Sequence, residues 1–139
     1  MDLNIRVIHA RDFLKVTPTG EVELETSKKT LLNLASLNAA PRQYDILIDT
    51  RQKTGYLTLA DITELVEVML EHRDSFRSKL AILALPGLGF DHAKFLELYA
   101  TNRGFHVAAF MDFEEAMNWL MASTELTSEL PSGPAGEAV

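Results

Sequence analysis

The chain contains no cysteine, so disulfides, thiolate zinc sites and thiol nucleophiles are all excluded. Histidine is scarce. His9, His72, His92 and His106 stand too far apart to pair at i+2, i+3 or i+4, and without that ligand spacing no metal site is expected. Positive charge is in the minority: thirteen Lys and Arg face twenty Asp and Glu, a net charge of −7. Such a surface repels phosphate backbones and anionic lipid, which argues against nucleic-acid partners. No apolar run approaches the roughly 18 residues that mark a membrane span. The opening stretch MDLNIRVIHARDF lacks the apolar centre of a signal peptide. The expectation is a cytoplasmic protein without stable membrane insertion. There is no GxSxG elbow. Gly87-Leu88-Gly89 has no third glycine at the right offset and no following Lys-Ser/Thr, so it reads as a strand-to-helix turn rather than a phosphate cradle. With no nucleophile and no acid–base pair emerging, neither catalysis nor a cofactor is expected.

What remains has the composition of an ordinary globular domain, 47% apolar and 24% charged in 139 residues. A chain of this length buries roughly two-thirds of its unfolded surface around one core. Residues 3–9 alternate at Leu3, Ile5 and Val7, and residues 12–17 carry Phe13, Leu14 and Val16; these read as two short strands joined at Arg11-Asp12 as a hairpin. Pro18-Thr19-Gly20 breaks the run. Leu24, Leu31, Leu34 and Ala35 predict a helix over 24–37, and Pro41 stops its continuation. Farther on, 79–85 is a mostly apolar strand. Asp91 then caps a helix with Phe95, Leu98 and Tyr99 on its buried side, ending at Gly104. Residues 105–111 form the last strand. Asp112 and Glu115 open a final helix whose stripe is Phe113, Ala116, Met117 and Leu120. With the strand and helix between 44 and 72, the order is β-β-α-β-α-β-α-β-α. It predicts an α/β fold, a mixed, mostly parallel five-stranded sheet with four helices. Residues 1–123 make a single domain on this reading, and 124–139, rich in Ser, Pro, Gly and Ala, read as a disordered tail.

The segment 44–70 organises the rest. Ile46, Leu47 and Ile48, between Asp45 and Asp49, suit a covered central strand of a parallel sheet. Ile62, Leu65, Val66, Met69 and Leu70 form a helical stripe, with Glu64, Glu67 and Glu71 on the solvated side. Thr58 and Asp61 have the spacing of a capping box. Between strand and helix lies RQKTGY, at the strand's carboxyl end, where open α/β sheets dock ligands and partners. The candidate partner- or ligand-binding residues are therefore Asp49, Arg51, Tyr56, Thr58 and Asp61, with Leu88 and Phe90 from the later turn. Asp49 has two readings: it accepts loop N–H groups or pairs with Arg51, or it lines a partner site.

Three stretches resemble the STAS-domain superfamily, the anti-sigma-factor-antagonist fold, and most closely its SpoIIAA-like branch. They are DILIDTR at a strand end, KLAILAL before a turn and helix, and the closing VAAFMDFEEAMNWL. The likeness runs from about Leu3 to Met121. It implies a non-enzymatic regulatory module that binds a protein partner such as a kinase or regulator. In the signalling members a phosphoacceptor lies at the start of the helix after the central strand. That place here reads Tyr56-Leu57-Thr58-Leu59-Ala60, which puts Thr58 at the phosphoacceptor position without the preceding acid or the following glycine. Beside this stands the plain chemistry of Thr58 as a helix cap. A second functional reading treats the strand ends as a cleft, among Tyr56, Leu88, Phe90 and Tyr99, for a small apolar or anionic ligand. A homodimer is compatible with either.

Overall fold

The structure, a computed structural model, describes residues 5–8, 13–38 and 43–122, with residues 5–8 described as backbone alone. Strands β1 (Ile5–Ile8) and β2 (Phe13–Val16) pair antiparallel, Ile5 opposite Val16 and Ile8 opposite Phe13, so the expected hairpin is present. Its Arg11-Asp12 connection, like Pro41 and the tail, lies outside the described residues. After β2 come β3 (Gly20–Glu21), α1 (Leu24–Leu37), β4 (Asp45–Asp49), β5 (Lys53–Thr54), α2 (Leu59–Glu71), a 3-10 turn at Arg73–Ser75, β6 (Lys79–Leu83), α3 (Leu88–Thr101), β7 (His106–Phe110) and α4 (Phe113–Met121). The main sheet has five strands in the order β1-β2-β4-β6-β7 and is parallel beyond the first pair.

The central strand is β4, as its unbroken apolar run implies, with β2 and β6 bonded on either side. Side chains alternate across the sheet. Leu14, Val16, Ile46, Leu80, Ile82, Val107 and Ala109 join the larger core under α1, α2 and α3. Phe13, Leu47, Ala81 and Leu83 point the other way and pack against Ala116 and Leu120 of α4. The sheet thus carries three helices on one face and one on the other.

Three local expectations are corrected. The Pro18-Thr19-Gly20 break also starts a strand, because Gly20 and Glu21 pair in parallel with Lys53 and Thr54. The strand expected over 79–85 ends at Leu83, and α3 begins at Leu88 behind Gly87. Gly87 has φ 99°, a conformation that side chains resist, and this reversal starts the helix one turn before Asp91, which becomes a first-turn residue rather than the cap. Finally, α3 buries Ala93 and Ala100, while Leu98 is 59% exposed. The helix packs chiefly on β7, and small side chains allow that approach. The rings of Phe95 and Tyr99 stack on each other at its flank, 5.8 Å apart.

Candidate functional site

The loop after β4 is held by backbone and side-chain hydrogen bonds together. Thr50 donates both its N–H and its hydroxyl to the Leu83 carbonyl at 2.8 Å, tying the end of the central strand to the end of β6. Lys53 N–H donates back to Thr50, and the chain continues into the short β3–β5 ribbon.

Under that loop the packing is incomplete. A cavity of about 160 Å³ lies between the sheet and α1, α2 and α3. Its floor is Ile48, Leu80, Ile82 and Val107 of the sheet, and its sides are Leu31, Ile62, Leu65, Met69, Ala93 and Leu96 of the helices. Ile48, Leu65 and Leu96 pack on the core yet remain only partly buried. For an isoleucine on the central strand, facing the helices, that is the mark of an unfilled space. At the loop side the wall becomes polar, with Lys53, Tyr56 and His92. The Lys53 ammonium donates to the Gly55 carbonyl at 2.6 Å and lies 4.3 Å from the Tyr56 ring centroid. The His92 ring meets Tyr56 edge-on at 5.7 Å. Burial pulls the Lys53 pKa below its ordinary 10.5, since a cation loses hydration there.

The residues singled out by sequence separate into distinct places. Tyr56 lines the cavity. Leu88, Phe90 and Tyr99 do not: Leu88 is 49% exposed, Phe90 packs on the core and Tyr99 carries the Arg103 guanidinium 3.5 Å above its ring. The cavity is lined instead by Gly89 and, one turn later, by His92, Ala93 and Leu96, because α3 starts earlier than its acidic residue suggested.

Asp49 and Arg51 lie on the opposite face. Asp49 follows Leu47 on the α4 side, is 2% exposed, and accepts the Arg51 N–H at 3.1 Å and two guanidinium N–H groups at 3.0 Å. Burial by itself would raise the Asp49 pKa. The side-chain and backbone hydrogen bonds from Arg51, with the charges of Arg51 and Lys15, outweigh it and hold the carboxyl below 3.8. Of the two readings of Asp49, the geometry realises loop closure and the Arg51 pair. Thr58 and Asp61 complete a capping box: the Thr58 hydroxyl accepts the Asp61 N–H at 3.0 Å and the Asp61 carboxylate accepts the Thr58 N–H at 3.1 Å.

Sequence reasoning missed Lys53 and His92. A lysine in a polar loop and an isolated histidine carry no local signal, and only the fold brings them to one cavity wall. Among the described residues no cluster of His, Asp or Glu could hold a metal ion, and no helix is long and apolar enough to cross a membrane.

No protein-family model matches this sequence, and a search of curated proteins finds no match. Among solved structures, the chain is similar to an uncharacterized protein of the DUF3478 family from Shewanella loihica PV-4, described as having a SpoIIAA-like fold. The two share 20% identity, the likeness covers 86% of this chain and 92% of that one, and the TM-score is 0.60. The fold of this chain is SpoIIAA-like.

Proposed function

We propose that this chain, a domain of SpoIIAA-like fold, binds a small apolar ligand in the space between the sheet and its three-helix face. The observation that carries the reading is the cavity itself, about 160 Å³ with aliphatic walls and half-buried Ile48, Leu65 and Leu96. An apolar cavity of about 150 Å³ accepts benzene, so an apolar body of that size would gain contacts with these aliphatic walls. The test is titration with toluene, followed by amide chemical shifts. Wild type should show saturable shifts at Ile48, Leu65 and Leu96. Ala93→Leu fills the space, and should abolish those shifts while raising stability by about 0.5–1 kcal/mol. Absence of shifts in wild type, or equal shifts in Ala93→Leu, would overturn the reading.

A second reading, a regulatory module that binds a protein through 51–70, is favoured by one observation. Tyr56 and Leu59, flanking Thr58 in the chain, stand 53% and 48% exposed, and Leu88 at the start of α3 is 49% exposed. The capping box changes what a phosphate on Thr58 would do, because the Asp61 carboxylate already sits against Thr58. The like charges would repel and open the box, offsetting the attraction of a helix N-terminus for anions. Thr58→Ala should cost about 1 kcal/mol of stability through the lost cap and leave partner affinity intact. Thr58→Asp should weaken partner binding, and equal affinities for the two variants would count against this reading.

A further inference from the structure

On the premise that the cavity holds an apolar body, we infer that its ligand is a small organic acid whose carboxylate is received by Lys53. Among the described residues no carboxylate lines the cavity, whose charged or titratable lining groups are Lys53, Tyr56 and His92. Three other cations of this part of the fold are paired: Arg51 with Asp49, Lys28 with Glu64 and Lys94 with Glu97. Among the described residues Lys53 has no carboxylate partner. An ammonium has three donors, and Lys53 gives one to the Gly55 carbonyl and rests against the Tyr56 ring. A donor remains for a carboxylate at the mouth of an otherwise aliphatic space. His92, edge-on to Tyr56, has no hydrogen-bond partner among the described residues and can supply a second N–H. The net charge of −7 opposes a distant anion, but at physiological salt that field is screened beyond about 8 Å, so contact with Lys53 decides. Burial already disfavours the charged amine, and an anion beside it would reverse that penalty.

The volume sets the body at about one benzene ring, so three probes differing only in head group suffice: benzoate, benzyl alcohol and benzylamine. Amide-shift titrations of wild type should rank benzoate first, about tenfold or more over benzyl alcohol, as a charge-assisted hydrogen bond to a partly buried cation provides; benzylamine should be weakest. Lys53→Met keeps an apolar stem and should bring benzoate down to about the affinity of benzyl alcohol or below. Lys53→Arg should retain the preference for the acid. If benzyl alcohol binds wild type as well as benzoate does, or Lys53→Met preserves the preference, the acid assignment fails and the apolar cavity stands. If none of the three binds, the apolar reading fails with it. The wild-type ranking decides the matter even if a variant folds poorly.

Discussion

Replacing Asn38 with alanine should lower the unfolding free energy by about 3–4 kcal/mol and the melting temperature by roughly 10–15 °C. Asn38 terminates α1 and is fully buried. Its amide N–H groups donate to the carbonyls of Tyr44 and Ser75, each at 3.1 Å, and its carbonyl accepts the Tyr44 N–H at 2.6 Å. One side chain therefore closes backbone groups from the start of the central strand and from the turn before β6. Alanine would remove all three bonds; the Tyr44 carbonyl keeps the Ser78 hydroxyl at 2.6 Å, but the Ser75 carbonyl and the Tyr44 N–H lose the Asn38 amide, and each such loss costs about 1–3 kcal/mol. Asn38→Asp should fail as well, because a carboxylate accepts from Tyr44 but cannot donate to the two carbonyls. Asn33→Ala, on the exposed side of the same helix, is the control and should be near neutral. Urea unfolding with an unchanged slope separates lost stability from altered compactness. A loss under about 1 kcal/mol for Asn38→Ala would mean that water satisfies these groups, and the node would be no anchor.

The contrast between Asn38 and the strands shows what sequence reveals. Ile46 to Ile48, the α1 stripe and the Asp112 cap are legible because periodicity and capping are local physical rules. Asn38 obeys neither; its partners lie as far away as Ser75 and Ser78, and in the string LNAAPRQY it reads as turn filler. The two-residue ribbon β3–β5 is too short to show a period. In α3 the large residues Phe95, Leu98 and Tyr99 suggested the buried side, whereas close packing on β7 selected Ala93 and Ala100. The cavity is harder still. Ile48 and Leu65 are apolar at core positions, and whether the atoms opposite them fill the space is set by helix placement rather than by any residue pattern. Tyr56 was legible as a site residue because it follows the strand end, while Lys53 and His92 gain their meaning only from sharing one wall.

Asp49→Ala should cost about 2–3 kcal/mol at neutral pH, the worth of hydrogen bonds to a charged group. The larger loss of a fully buried broken pair, about 3–5 kcal/mol, is not reached, because the Arg51 side chain is 38% exposed and can turn to water. The cost should also depend on pH, with a definite sign. The folded carboxyl sits below its ordinary 3.8, burial being outweighed by Arg51 and Lys15. The stabilisation is therefore complete above about pH 3.8 and is lost as pH falls through the lower folded value. Wild type and Asp49→Ala should differ by a constant amount above that pH and converge below it. Arg51→Ala leaves Asp49 buried with less support, so its carboxyl takes up a proton at higher pH and the acid limb of that variant's stability curve should begin earlier than in wild type. Stability curves that stayed parallel through the acid range would show that the pair contributes nothing. Because Asp49 and Arg51 occupy the α4 face, neither substitution should alter toluene shifts at Ile48 or Leu65. A loop closed by a buried carboxylate on one face of the sheet and a ligand space on the other can then be perturbed independently, which is what separates a structural acid at a strand end from one that serves a site.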